Sequence, residues 1–108
     1  MKKTTDVGLV LVTVPDLKVG RLLARKALEA KLVACANLVP GVESHYWWKN
    51  RIERSREMLV IFKATRRSLA RLEALVLETH PYDTPEIVFM PVNSATGKYL
   101  RWWQAAIE

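Results

Sequence analysis

Cysteines, long apolar runs and low-complexity segments are scarce or absent in this chain of 108 residues. The single cysteine, Cys35, excludes an intramolecular disulfide and cysteine-rich zinc sites, and it fits a reducing compartment. No apolar run approaches the ~20 residues that a membrane-spanning helix needs. The apolar stretch after the charged N-terminus is short and is closed by Pro15, which is typical of a strand and not of a signal peptide. We therefore expect a cytoplasmic location and no membrane partner.

The composition is that of one globular domain covering residues 1–108. Hydrophobic residues make up 50% of the chain, which excludes a disordered segment, and the length suits a single core. The formal net charge of +6 is a feature shared with nucleic-acid-binding domains. However, the lysines and arginines are scattered among apolar and acidic neighbours, as they are on solvated faces. Nucleic-acid binding is therefore not expected.

Periodic patterns divide the chain into alternating strands and helices. Apolar, β-branched runs predict strands, and apolar residues at helical spacing predict helices. The predicted strands cover residues 7–14, 33–39, 42–48, 51–65 and 86–92, and the predicted helices cover residues 18–31, 68–79 and 99–108. Pro40-Gly41 is expected to bend the chain, and Lys49-Asn50 to form a hairpin turn. This order predicts an α+β, ferredoxin-like βαββαβ sandwich with an extended hairpin between its second and third strands and an extra C-terminal helix.

The segment from Val33 to Trp48 is too long for the domain that carries it. Fully extended at ~3.3 Å per residue it spans about 50 Å, whereas a compact domain of this length is roughly 34 Å across. The hairpin should therefore overhang, with Tyr46, Trp47 and Trp48 near its tip. Exposed aromatic surface of this kind is costly, and pairing between copies of the chain would cover it. A homo-oligomer is predicted; the alternative is a hairpin that folds back over its own sheet.

One short segment, residues 80–86, concentrates polar chemistry between a predicted helix and a predicted strand. It contains His80, Tyr82, Asp83 and Glu86, together with two prolines that stiffen it. Pro81 disfavours helical geometry at His80, so the preceding helix should end there. The imidazole and the two carboxylates are metal-compatible or acid–base groups. The alternative is a plain connection in which His80 interacts with the helix end.

Five motifs in order along the chain resemble those of the CutA family, the divalent-cation tolerance proteins. They are Thr13-Val14-Pro15-Asp16, the stretch from Leu32 to Gly41, the stretch from Ser44 to Lys49, the stretch from His80 to Glu86, and Tyr99-Leu100-Arg101-Trp102. The resemblance covers residues from about 11 to 102. It implies a ferredoxin-like fold, a homotrimer with β-sheet pairing between subunits, and a role in tolerance to copper and other divalent metals. It implies no catalytic activity.

The resemblance also implies particular ligands. His80 matches a family histidine that is associated with copper binding. The predicted metal ligands are His80, Glu86 and Cys35, since imidazole suits copper and a thiolate suits Cu(I). Some family members carry a cysteine or a second histidine where this chain has Val12 and Thr79. Weak binding of copper or another divalent cation is therefore expected, at a cleft that a second subunit completes.

Other residues are candidates for lining that cleft. They are Tyr82, Asp83, Glu53, Lys63 and Trp48. The alternative function is a trimeric signalling module that binds a small anionic metabolite there, which the net positive charge would favour. Cys35 could instead be a small buried hydrophobe, and His45 is interpreted as a packing or interface residue. Catalysis by Cys35 with His80 as its base is not expected, because nothing in the sequence places them together.

Overall fold

The computed structural model describes all residues, 1–108, as six strands and three helices. The strands are β1 (Lys2–Lys3), β2 (Val7–Val14), β3 (Val33–Trp48), β4 (Arg51–Thr65), β5 (Val88–Pro91) and β6 (Ser94–Ala95). The helices are α1 (Leu17–Glu29), α2 (Leu69–Thr79) and α3 (Gly97–Ala105). None of the helices combines the length and the apolar character that crossing a membrane requires.

The main sheet contains four antiparallel strands in the order β3-β4-β2-β5. Alternate side chains of its central strands, including Val10, Val12, Val60 and Phe62, are completely buried. They pack against apolar residues of α1 and α2, which cover the same face of the sheet. The strand order and the helices on one face confirm the predicted ferredoxin-like α+β fold.

Local chemistry sets the ends of the first two helices. Asp16 caps α1, because its Oδ1 accepts a hydrogen bond from the backbone N–H of Val19 at 3.0 Å. After α1, Lys31 takes a left-handed φ of 57°, which cannot continue the helix. At the end of α2, Pro81 holds His80 in extended backbone with a ψ of 135°. The predicted helix ends agree with these boundaries to within about two residues.

The β3–β4 hairpin extends beyond the rest of the sheet and gives the chain dimensions of 44 × 26 × 22 Å. β3 has 16 residues and β4 has 15, whereas β2 pairs with β4 only as far as Val14 opposite Met58. Beyond that pair the hairpin has no third strand beside it. At its tip, Lys49 and Asn50 have φ values of 50° and 64°, as both central residues of a type I′ turn require. The predicted extended hairpin and its turn are confirmed.

Pro40-Gly41 forms a bulge within β3 instead of separating two strands. Residues Val39–Val42 lie opposite the shorter segment Glu57–Leu59, so β3 carries one extra residue there. Gly41 has a φ of 78° and open space where a Cβ would lie, a conformation for which glycine is suited. The predicted bend is therefore a local irregularity of one continuous strand.

A second sheet, in which β1 pairs with β6, lies outside the sequence prediction. Each of these strands has only two residues, which is too few for an alternating pattern to appear. In addition, β5 begins at Val88 and not at residue 86, and α3 begins at Gly97 and not at residue 99. These differences leave the order of the main elements unchanged.

The other face of the main sheet is only partly covered. α3 packs over one end of it, where Trp103 Nε1 donates to the carbonyl oxygen of Ala64 at 3.1 Å. The remaining apolar residues, here called the open face, are Leu11, Val39, Leu59, Ile61, Val88 and Met90. Val88 and Met90 are 46% and 47% exposed. An apolar surface of this kind is typical of a face that another protein chain covers.

Candidate functional site

Residues 80–86, here called the corner, are connected to the end of β2 by a hydrogen bond from His80. The side chain of His80 is buried. Nε2 donates to the carbonyl oxygen of Thr13 at 2.7 Å, and Nδ1 accepts from the backbone N–H of Tyr82 at 3.1 Å. Because the amide must be the donor, the ring proton lies on Nε2. Both ring nitrogens are therefore used within the protein.

Tyr82 continues this connection from the corner to β4. Its hydroxyl donates to Oε2 of Glu57 at 2.9 Å, and Glu57 is buried. Burial of the phenol, followed by the hydrogen bond to Glu57 and the charge of Glu57, raises the pKa of Tyr82 from 10.0 to about 12. At neutral pH, Tyr82 is therefore an uncharged hydrogen-bond donor to a carboxylate.

The corner and the outer part of the hairpin enclose an open cavity of about 780 Å³. The residues that line it include the aromatic residues Tyr46, Trp47, Trp48 and Tyr82 and the acidic residues Glu57, Asp83 and Glu86. No lysine or arginine lines it, although the whole chain carries a formal charge of +6. The cavity is thus an aromatic and acidic site on a basic protein.

The structure brings four of the predicted site residues together in this cavity. Trp48 reaches it from β3, while Tyr82, Asp83 and Glu86 reach it from the corner. His80 does not line the cavity, but it supports Tyr82 through the N–H to Nδ1 hydrogen bond. The corner therefore forms one wall of the cavity, and its hydrogen bonds attach this wall to the sheet.

Cys35 and Lys63 lie outside the cavity, paired with each other across β3 and β4. Lys63 Nζ donates to Oδ1 of Asn37 at 2.7 Å and lies 3.6 Å from the Cys35 sulfur. Cys35 is half-buried and takes part in these polar contacts, so it does not belong to the enclosed core. Glu53 is exposed on the outer part of β4, opposite Tyr46, and does not line the cavity.

One chain does not assemble a metal site from His80, Glu86 and Cys35. No group of three or more His, Cys, Asp or Glu side chains is arranged to hold a metal ion. Both nitrogens of His80 are already hydrogen-bonded, and Cys35 lies beside Lys63. Metal sites generally use three or four protein ligands in fixed geometry. A metal held at this cavity would therefore need donors from a second chain.

The charges of the cavity do not favour the small anionic metabolite considered as an alternative. An anion would be repelled by the carboxylates of Glu57, Asp83 and Glu86. Lys63, the basic residue proposed for such a cleft, is not among the residues that line it. No lysine or arginine of the same chain supplies the positive charge that this alternative requires.

Sequence patterns alone do not place Glu57 or His45 in the site. The available signal for Glu57 is that a carboxylate directly precedes the apolar run Met58–Phe62, where a charged residue is unusual. His45 lines the cavity, and its Nε2 lies 2.8 Å from Oε2 of Glu43. The bulge changes the phase of alternation along β3, so the sequence does not indicate which residues of the outer hairpin border the cavity.

The chain is similar to proteins of one family, both in sequence and in structure. Residues 8–106 match the family described as CutA1 divalent ion tolerance protein. The chain is 39% identical over 93 residues to the divalent-cation tolerance protein CutA of Thermus thermophilus, covering 86% of this chain and 90% of that protein. It resembles the crystal structure of CutA1 from Oryza sativa with a TM-score of 0.93 and 37% identity, covering 97% of this chain and 96% of that structure.

The chain spans about half the length of the plant relatives that it matches. It is 41% identical over 93 residues to the chloroplastic protein CutA 1 of Oryza sativa, which covers 86% of this chain and 52% of the relative. Because that relative is chloroplastic, the comparison does not confirm the cytoplasmic location, which stays a prediction.

Proposed function

The chain belongs to the CutA1 family of divalent ion tolerance proteins, and from this premise we propose that it acts in tolerance to divalent cations as a homotrimer without catalytic activity. Copper is the cation proposed first, because the accessible donors include an imidazole as well as carboxylates, and imidazole is a good copper ligand. The cation binds weakly at the cavity, with further donors supplied by a neighbouring subunit.

The grouping of oxygen and nitrogen donors in one cavity carries this proposal. Asp83 and Glu86 are exposed on the corner, and His45 lies in the wall that the hairpin contributes. The Nδ1 atom of His45 makes no hydrogen bond, whereas both nitrogens of His80 are used. We therefore assign the imidazole ligand to His45 in preference to His80, whose role is to position the corner.

The open face supports the trimeric part of the proposal. It leaves six apolar side chains half-buried or exposed in the centre of the sheet, and the extended hairpin beside it has no third strand. Packing the open faces of several copies together would cover the apolar residues. It would also bring the cavity of one chain close to donors of another, which the incomplete ligand set requires.

Calorimetric titration with Cu²⁺ tests the site. We expect Glu86→Gln to weaken Cu²⁺ binding by about tenfold or more, because it replaces a charged oxygen ligand by a neutral amide. Glu53→Gln is the matched control, since Glu53 is an exposed carboxylate outside the cavity. Equal titration curves for wild type and Glu86→Gln, or the absence of Cu²⁺ binding by the wild type, would remove the cavity from the proposal.

Two histidine variants test whether His45 or His80 binds Cu²⁺. We expect His45→Ala to weaken Cu²⁺ binding, because it deletes an accessible ring nitrogen. We expect His80→Ala to lower the thermal midpoint, because it leaves the Thr13 carbonyl and the Tyr82 N–H without their partners. Loss of binding in His80→Ala with an unchanged thermal midpoint would instead assign His80 as the ligand.

A further inference from the structure

Glu57 is a buried carboxylate that has no cationic partner. It is 8% exposed, and its one hydrogen bond comes from the hydroxyl of Tyr82 to Oε2. The chain's one ion pair within 4.0 Å joins His45 and Glu43. Arg56, the nearest arginine in sequence, does not pair with it, since consecutive strand residues point to opposite faces. Burying a charge without a partner is costly, so Glu57 requires an explanation.

The second oxygen of Glu57 is available to a ligand. Oε1 accepts no hydrogen bond from the protein, and no buried side-chain oxygen or nitrogen of the chain is left without a partner. Oε1 therefore retains access to solvent, and Glu57 lines the cavity. A carboxylate oxygen held in this way can accept a charge-assisted hydrogen bond from a cationic N–H group.

The walls around Glu57 are suited to an organic cation. Tyr46 and Trp48 are each 41% exposed, and both line the cavity together with Tyr82. Aromatic faces attract ammonium and guanidinium groups and also bury the hydrocarbon that carries them. The volume of about 780 Å³ lies within the range of small-molecule sites.

The remaining charges of the cavity have the same sign as that of Glu57. Asp83 and Glu86 also line it, and no lysine or arginine does. Their negative potential would concentrate cations at the opening and repel anions. Although the chain carries a formal charge of +6, none of its lysines or arginines lines this cavity.

We propose that the cavity binds a small organic cation with an amine or guanidinium head group, which donates a hydrogen bond to Oε1 of Glu57 while its hydrocarbon part packs against Tyr46 and Trp48. The ligand class follows from the unpaired carboxylate and the aromatic walls together. The inference goes beyond the metal proposal, because the hydrogen bond and the packing that it assigns involve Glu57, Tyr46 and Trp48, whereas Glu86 only adds to the negative potential at the opening.

Four probes with the same butyl chain test the head group. They are n-butylguanidinium, n-butylammonium, n-butanol and pentanoate, each titrated into the protein while tryptophan fluorescence is recorded. We expect butylguanidinium to bind with a Kd of about 1 mM, as suits a ligand of so few atoms. Butanol should bind at least about tenfold more weakly, and pentanoate more weakly still. Equal binding of butanol and butylguanidinium would overturn the proposal.

Glu57→Gln tests the carboxylate itself. The amide keeps the size of the side chain and an oxygen for the Tyr82 hydroxyl, but it removes the charge. We expect a loss of about tenfold in butylguanidinium affinity, with Glu53→Gln unchanged as the matched control. Light scattering and thermal unfolding of each variant measure whether its assembly and fold are retained. An unchanged affinity in a folded Glu57→Gln variant would contradict the proposal.

The same variants separate this inference from the metal proposal. Loss of Cu²⁺ binding in Glu86→Gln with butylguanidinium binding retained would support two independent uses of the cavity. A wild type that binds Cu²⁺ but no butyl cation would overturn the organic-cation proposal alone. If a lysine or arginine of a neighbouring copy occupied the site, Glu57→Gln would lower the assembly mass and no butyl cation would bind, which also overturns it.

Discussion

Tyr82 joins three parts of the protein through one hydroxyl and one amide. The hydroxyl donates to Glu57 on β4, and the backbone N–H donates to His80, which in turn donates to Thr13 on β2. The sequence indicates that His80 and Tyr82 belong to one short segment with metal-compatible or acid–base side chains. It cannot reveal that the imidazole is used internally, because its partner Thr13 lies 67 residues away in the chain.

The raised pKa of Tyr82 predicts a loss of stability in alkaline solution. The pKa is about 12 in the folded protein and near 10.0 in the unfolded chain, so the unfolded chain releases the proton first as the pH rises. The free energy of unfolding should therefore fall between pH 10 and pH 12. Urea unfolding at a series of pH values measures this fall, and we expect it to be smaller in Tyr82→Phe.

Absorbance at 295 nm provides the direct check on that prediction. In the folded wild type, one tyrosine should ionise near pH 12, and Tyr82→Phe should lack that step. A variant whose titration curve retains the same high-pH step would show that the raised pKa belongs to another tyrosine.

Elements with long periodic patterns were predictable, and short or irregular ones were not. β2, α1, β4 and α2 each place apolar residues at the spacing of their secondary structure over many residues. The β1–β6 pair has two residues per strand and joins distant parts of the chain. The bulge at Pro40-Gly41 looks like a strand end, because proline and glycine are the common signals for one. The position of the outer hairpin beside the corner, and hence the cavity, depends on this bulge.

Close packing of β2 against β5 makes Gly8 a sensitive position. A Cβ at Gly8 would overlap the Phe89 ring and lie 2.7 Å from the carbonyl oxygen of Met90. We expect Gly8→Ala to lower the free energy of unfolding by about 1–3 kcal/mol, as overpacking does. Urea unfolding at fixed protein concentration measures the change.

Gly97→Ala is the matched control for that substitution. At Gly97 a Cβ would approach only the end of the flexible Arg101 side chain, at 3.3 Å. Its effect should stay within about 1 kcal/mol, and alanine could even stabilise the first turn of α3. Equal losses in the two variants would show that the contact with Phe89 is not what makes Gly8 sensitive.

The whole molecule combines an elongated shape with an apolar surface in the middle of its sheet. Pairing between copies of the chain would cover the open face and would give the extended hairpin neighbouring chains to contact. The sequence predicts the hairpin's excess length from a count of residues alone. It does not define the open face, because that requires knowing which strand residues α3 covers and which it leaves free.

A charge placed on the open face should separate the copies. Ile61 lies in the middle of this face, and burying a carboxylate there without a partner is costly. Light scattering should give three times 12.4 kDa for the wild type and a mass near 12.4 kDa for Ile61→Glu. Leu77→Glu, at a side chain of α2 that is 53% exposed, should keep the wild-type mass. A wild type with the mass of one chain at micromolar concentration would exclude the trimer.

The two-stranded part of the hairpin also has a consequence for the order of folding. Beyond Val14 and Met58, β3 and β4 have only each other, and isolated two-stranded ribbons are marginally stable in water. The four-stranded body and its core can form first, because they do not depend on the tip. The corner contacts the base of this two-stranded part through the hydrogen bond from Tyr82 to Glu57, and in the proposed trimer the tip gains its contacts from neighbouring chains. Completing the fold and assembling the subunits then become a single event.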